Sequence, residues 1–289
     1  MKILKDIKAE DLLWIYRFGI PKHKISTEDF LSDLSQLKSP VFFLSTGRCG
    51  TAWFNDLLKH DPSVRDFHSP YPNFSIQNRF MYKLWQEKTN DENKLETARQ
   101  LFLCGREQHL RYAFKCDKRY FETNNHITFF APMLRRIMPQ SKFVHLYRHP
   151  GEFVRSGIRR GWYGKNTQAN TKLIVPVNPS DEWNKYSEIG KIGWLWNETN
   201  SFIENFKKNL DPGRIFNFNF NMLNPDSVHP LIQFLEITIS GRALKKLLAT
   251  KKNVQKTGQF PSYREWDDKQ KAELMQSCGK LAASYGYTL

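Results

Sequence analysis

Four short apolar runs, at residues 40–45, 111–115, 142–147 and 214–220, punctuate the chain, each followed by a segment with helical spacing. Apolarity that continues through a short run, instead of alternating, is the pattern of a strand buried on both faces. A shorter run at 64–67 is a fifth candidate strand. Between these runs, apolar residues recur at helical intervals over 51–60, 92–108, 124–138, 150–160, 181–209, 227–235 and 267–285. Strands alternating with helices predict an α/β fold with a central parallel sheet flanked by helices.

Residues 161–179 lack periodicity and hold Gly, Asn, Thr and two prolines, which predicts a long loop. Loops of that length in a compact domain commonly serve as lids or binding segments. Beyond it, Trp183, Ile189, Ile192, Trp196, Phe202, Ile203 and Phe206 fall near helical spacing and read as core. There is no internal repeat. The chain reads as a single domain over 1–289, with 1–39 as an N-terminal helical extension and a core from about residue 40.

The 289 residues are 40% hydrophobic and 14% aromatic, a globular composition with enough chain to bury a full core. No run approaches the ~20 apolar residues of a membrane span, and the charged N-terminus does not fit a signal peptide. These features predict a cytoplasmic protein without a membrane span. The four cysteines, Cys49, Cys104, Cys116 and Cys278, show neither metal-ligand spacing nor a disulfide framework. Lys and Arg number 44 against 29 Asp and Glu, a formal charge of +15. The cations are scattered instead of forming a tail, so they belong to a folded surface or cleft, and their partner is nucleic acid, a membrane surface or an anionic substrate.

One segment narrows the choice. After the strand Val41-Phe42-Phe43-Leu44 comes Ser45-Thr46-Gly47-Arg48-Cys49-Gly50-Thr51-Ala52-Trp53, running into a helix. Glycines at a strand-to-helix turn let successive amides point into one concavity, where the helix N-terminus adds positive potential. Such a turn cradles phosphate. The nucleoside triphosphate loop has four residues between its glycines and a Lys after the second; here Arg48 and Cys49 alone separate Gly47 from Gly50, and Thr51 stands in the Lys position. By itself the turn fits a plain strand-to-helix connection equally well.

A second segment has related chemistry. The strand at 142–147 ends at Arg148-His149-Pro150, with Pro150 suited to the first position of a helix, and Ser156 follows six residues on, about 9 Å along the helix axis. An Arg at the strand end and a hydroxyl in the second turn can grip one phosphate.

Together these residues resemble the sulfotransferases that use 3′-phosphoadenosine 5′-phosphosulfate (PAPS). The segment 45–53 is similar to their 5′-phosphosulfate loop, and Arg148-His149-Pro150 through Ser156 is similar to their 3′-phosphate signature. The segment 215–225 is similar to one that in the family often reads Tyr-Glu-Asp-Leu, although Phe220-Asn221-Met222-Leu223 lacks its acidic residues. The resemblance implies a sheet like that of the P-loop nucleoside triphosphate hydrolases, PAPS as donor, no metal, and transfer of a sulfuryl group to a hydroxyl. By the same resemblance Gly47, Arg48, Cys49, Gly50, Thr51 and Ala52 hold the 5′-phosphosulfate, with Arg48 on the leaving oxygen, and Arg148 and Ser156 read the 3′-phosphate. Trp53 matches a Trp that stacks near adenine, and reads equally as helix core. Lys256 and Arg264 fall in and just beyond a basic stretch similar to the loop that closes over the 3′-phosphate.

The general base has two candidate positions. Lys115-Cys116-Asp117 matches a Lys-Ser-His or Lys-Thr-His segment of relatives, which implies Lys115 on the sulfuryl group and Asp117 as base; His68, after the run at 64–67, matches a base position of bacterial and Golgi-type relatives. Titration near neutral pH favours His68. The acceptor partner is hydroxylated, a glycan, a small molecule or a tyrosine, with the aromatics Trp162, Tyr163 and Trp183 suited to stacking on sugar rings. Three other readings compete: a P-loop small-molecule kinase, a basic nucleic-acid-binding protein, and a pseudoenzyme that keeps the cleft without a base. The two motifs speak against the kinase, and no recognition motif supports the nucleic-acid partner.

Overall fold

A computed structural model describes residues 25–164, 167–250 and 258–289. In chain order its regular elements are α1 (Thr27–Leu31), β1 (Val41–Ser45), α2 (Thr51–Leu58), β2 (Val64–Phe67), α3 (Ser75–Gln86), α4 (Asp91–Lys115), β3 (Arg119–Glu122) and, after a 3-10 turn over Asn125–Phe130, α5 (Ala131–Ile137). Then follow β4 (Lys142–Tyr147), α6 (Pro150–Ile158), α7 (Thr167–Asn170), α8 (Asp181–Lys185), α9 (Glu188–Lys207), β5 (Ile215–Asn219), α10 (Pro225–Leu235), α11 (Gly241–Leu248) and α12 (Asp268–Ser284).

The five strands form one parallel sheet in the order β2-β3-β1-β4-β5. Alternate residues of β1 face opposite layers: Phe42 and Leu44 pack with α4, α5, α6, α9 and α12, while Val41 and Phe43 pack with α2, α10 and α11. Both layers bury their apolar side chains, which is why the strands read as continuous apolar runs. The chain leaves β1 towards β2 and β3 on one side, then crosses to β4 and β5 on the other. The reversal opens a crevice at the carboxyl ends of β1 and β4, the place where open α/β sheets bind ligands.

The run at 111–115 is not a strand. It is the last turn of the 25-residue helix α4, whose buried positions Ala98, Phe102, Arg106, Leu110 and Ala113 keep helical spacing to its end. A short apolar run does not distinguish a helix turn from a strand, and tertiary packing decided the matter. The third strand is Arg119–Glu122. The helical pattern over 181–209 breaks at Ser187, whose hydroxyl accepts from the Ile189 amide to start α9. Within the loop at 161–179 the structure has the short helix α7. Most of the proposed N-terminal extension, 1–24, lies outside the described residues.

Candidate functional site

The turn after β1 is built from left-handed residues. Gly47, Arg48 and Gly50 have φ of +80°, +58° and +84°. A Cβ on Gly50 would meet the Phe220 ring at 2.0 Å, so the position needs glycine for space as well as for φ. The buried Cys49 thiol donates to the Gly47 carbonyl at 3.1 Å, and burial pushes its pKa up, keeping it a neutral donor. The Gly47 amide bonds the Ser45 hydroxyl. No amide of Arg48, Cys49, Gly50 or Thr51 bonds another described residue, and they sit where α2 begins. That is a row of unused donors at the positive end of a helix.

Arginines crowd beside this turn. Arg148 Nη1 donates to the Arg48 carbonyl at 2.8 Å, and its other terminal nitrogen reaches Glu152 at 3.4 Å. Arg48 Nε lies 3.3 Å from the Ser156 hydroxyl, and Arg160 Nη1 donates to the same oxygen at 2.8 Å. With its oxygen accepting from both guanidiniums, Ser156 keeps its proton to donate. The Nε of Arg148 is buried with no partner. Burial and the neighbouring Arg148 lower the Arg48 pKa; burial and Arg48 bring Arg160 down to about 10. Three guanidiniums under mutual repulsion, with an unused buried donor among them, form a site that an anion stabilises. Arg160 escaped the sequence reading because nothing in its spacing separates it from Arg155 and Arg159.

Other expected residues lie elsewhere. Trp53 is core: it is 2% exposed and donates to the Leu247 carbonyl at 3.1 Å, so it has no face to offer an adenine. Thr51 and Ala52 are half-buried at the start of α2. Lys115 and Asp117 precede β3 and therefore sit at the amino end of the sheet, opposite the phosphate turn. There Lys115 pairs with Asp29 at 2.7 Å and Asp117 with Lys38 at 2.5 Å, so the structure places both away from the turn after β1. Arg264 is exposed on a 3-10 turn whose Tyr263 packs over Gly151 of α6, and Lys256 lies outside the described residues. Asn221 replaces the acidic residue of the 220–223 segment with an amide, its oxygen accepting from the His149 amide at 2.6 Å.

Next to the turn is a cavity of about 580 Å³, lined by Ser45 and Thr46 at the end of β1, Asn125 and His126 after β3, and Trp162, Lys172 and Ile174 of the loop at 161–179. That loop is tied down where the Tyr163 hydroxyl donates to the Ile174 carbonyl at 2.5 Å, so it walls the cavity. Trp183 packs instead against Tyr163 and Trp194.

His126, which the sequence reading passed over, lines this cavity. Its Nδ1 is 2.9 Å from the Asn73 carbonyl and must be the donor there, which leaves the Nε2 lone pair as the basic site. Burial is the main reason its pKa falls to about 4. The Asn73 segment is held by the fully buried Arg106–Glu122 pair, 2.9 Å apart: Arg106 also donates to the Pro72 carbonyl at 2.6 Å, and Asn124 links Glu122 to the Asn73 carbonyl. His68 directly follows β2, two strands from β1, with Nδ1 2.9 Å from the Thr123 carbonyl; it is not among the residues lining the cavity. Among the described residues no group of three or more His, Cys, Asp or Glu is arranged to hold a metal, and no helix is long and apolar enough to cross a membrane.

Solved structures share this architecture. A sulfotransferase domain from the curacin biosynthetic pathway is 14% identical with a TM-score of 0.54, over 88% of this chain and 99% of that one. The sulfotransferase STF9 from Mycobacterium avium is 13% identical with a TM-score of 0.54, over 96% and 82%. The sulfotransferase domain of the Synechococcus PCC 7002 olefin synthase is 14% identical with a TM-score of 0.50, over 88% and 98%. At such identities the likeness is one of fold. No curated protein sequence matches the chain. The family described as "Sulfotransferase family" matches residues 40–239, from the start of β1 past the end of α10. The match spans the phosphate turn, the arginine cluster and all five strands, well over half of the chain, and the protein belongs to the sulfotransferase family.

Proposed function

We propose that the protein transfers a sulfuryl group from PAPS to a hydroxyl of an acceptor bound in the cavity beside β1. The observation that carries the donor is the convergence of Arg48, Arg148 and Arg160 on and around Ser156, with a buried Arg148 nitrogen left over. PAPS supplies a sulfuryl group already bonded to a phosphate that leaves with the electron pair. The amides of residues 48–51 and the Thr51 hydroxyl hold the 5′ end; Arg148, Ser156 and Arg160 hold the 3′-phosphate, the group that ATP lacks. Arg48 spans the two halves and offsets negative charge on the donor. Catalysis of this kind is mostly positioning and electrostatic stabilisation, both supplied by fixed amides and guanidiniums.

His126 is the base in this reading. Its Nδ1–H is committed to the Asn73 carbonyl, and Nε2 takes the proton of the attacking hydroxyl. Burial keeps the ring neutral, with its Nε2 lone pair available, across the whole physiological range; as a weak base it takes up the proton as the attacking oxygen bonds to sulfur and becomes acidic.

The test is isothermal titration with 3′-phosphoadenosine 5′-phosphate (PAP), beside ATP with and without Mg²⁺, at one salt concentration. Metal-independent binding of PAP and weak binding of ATP is the expected result. Preference for Mg²⁺-ATP transfers the site to a kinase, and binding of neither removes the donor assignment.

A further inference from the structure

Resting on that donor reading, we propose that the acceptor is an anionic, polyhydroxylated small molecule of sugar size, with Asn78 accepting a hydrogen bond from a second hydroxyl and Lys172 holding its anionic group.

Asn78 carries the argument. It projects from α3, is 8% exposed, and lines the cavity. Its side-chain oxygen is buried without a hydrogen-bond partner. A buried acceptor left unpaired is costly, and in native proteins such groups have partners. An acceptor atom calls for a donor, so the ligand presents an O–H or N–H at this wall in addition to the hydroxyl that reacts near His126.

Charge gives the second feature. Among the described residues lining the cavity, Lys172 is the one ionised side chain: no carboxylate lines it, and His126 is held neutral. The cavity therefore has one uncompensated positive charge in its lining, on the exposed Lys172, which selects a ligand with a single negative group. The walls give the third. Phe129, Trp162, Ile174 and Leu195 form apolar surface, suited to the C–H faces of a sugar ring. The volume of about 580 Å³ takes a monosaccharide or disaccharide.

A flat phenol satisfies the walls and leaves both Asn78 and Lys172 unpaired. Sites built to bond a substrate hydroxyl reject analogues that lack it, because the buried group stays unsatisfied.

The test titrates the full chain, saturated with PAP, with D-glucuronate and D-galacturonate, their neutral parents D-glucose and D-galactose, and 4-methylphenol. The expected result is that a uronate binds at least about tenfold more tightly than its parent sugar. Asn78→Leu lowers uronate affinity about tenfold with PAP affinity unchanged, and Lys172→Gln, at an exposed position that leaves folding intact, abolishes the difference between uronate and parent. Tighter binding of 4-methylphenol than of either uronate, equal binding of uronates and parents, or Lys172→Gln without effect overturns the proposal while PAP binding keeps the donor reading in place. Failure of PAP itself to bind overturns the donor reading, and this inference with it.

Discussion

Arg48 Nε and the Ser156 hydroxyl lie 3.3 Å apart although 108 positions separate them in the chain. One belongs to the turn after β1 and the other to the second turn of the helix after β4. Adjacent parallel strands carry the two motifs to the same edge of the sheet, and the contact joins them at the proposed donor site.

That site predicts a selective loss. Arg160→Gln removes a charge-assisted donor from the 3′-phosphate end and weakens PAP binding about tenfold or more, while AMP, which lacks the 3′-phosphate, binds as before. Parallel titrations of the two nucleotides read the difference. Equal losses for both place Arg160 outside the 3′ subsite.

Gly50 tests the turn itself. Gly50→Ala forces a non-glycine residue to φ +84° and pushes a methyl into the Phe220 ring. The expected cost is about 2 kcal/mol or more, seen as a lower urea midpoint at unchanged m-value, together with loss of PAP binding as the amides move. An Ala variant of wild-type stability shows that the turn does not need this conformation.

The base assignment separates three candidates by kinetics. His126→Ala should lower kcat by about 10²-fold or more and leave PAP affinity near wild type, whereas His68→Ala, at the end of β2, should leave kcat within a few-fold. Asp117→Asn breaks only the exposed pair with Lys38 and should change neither. If His68→Ala carries the large loss instead, the proton goes to the β2 edge.

Breaking the Arg106–Glu122 pair is expected to be severe. Both side chains are fully buried, and Arg106→Met leaves Glu122 charged in the core with Tyr120 and Asn124 as remaining donors. A loss of about 3–5 kcal/mol is expected, measured by denaturant titration. The double variant Arg106→Met with Glu122→Leu should recover part of it, because no charge is then left unpaired.

Acid sensitivity follows from the histidines. Burial lowers the pKa of His145 to about 3 and of His126 to about 4 in the folded protein, against ~6.5 in the unfolded chain. Above pH 6.5 neither state binds these protons and the full contribution to stability is present. Between pH 6.5 and 4 the unfolded chain takes up protons that the native state refuses, so stability falls as pH falls, at up to about 1.4 kcal/mol per pH unit for each group. His145→Asn should flatten that slope in unfolding titrations between pH 7 and 5; an unchanged slope means that His145 does not contribute to it.

The sequence by itself determined where the turns after β1 and β4 fall, and four of the five strands. Apolar runs such as Val41–Ser45 and Lys142–Tyr147 are buried on both faces, and that condition writes itself into composition. The Gly47–Gly50 spacing and the Arg148–Ser156 interval are local, so they were legible without contacts.

What the tertiary structure decided is long-range. The third strand lies eight residues beyond the run at 111–115, because Arg111–Lys115 and Arg119–Glu122 are both short apolar runs and only the burial of α4 as a whole, through Phe102, Leu110 and Ala113, keeps the first helical. The misplacement pointed to Lys115 and Asp117, at the amino end of the sheet, and away from Thr123–His126 at its carboxyl end. Arg160 and Asn78 carry no local signal at all. The places proposed for them come from what lies beside them, the hydroxyl of Ser156 and the cavity that Asn78 lines, and proximity of that kind is a property of the folded chain.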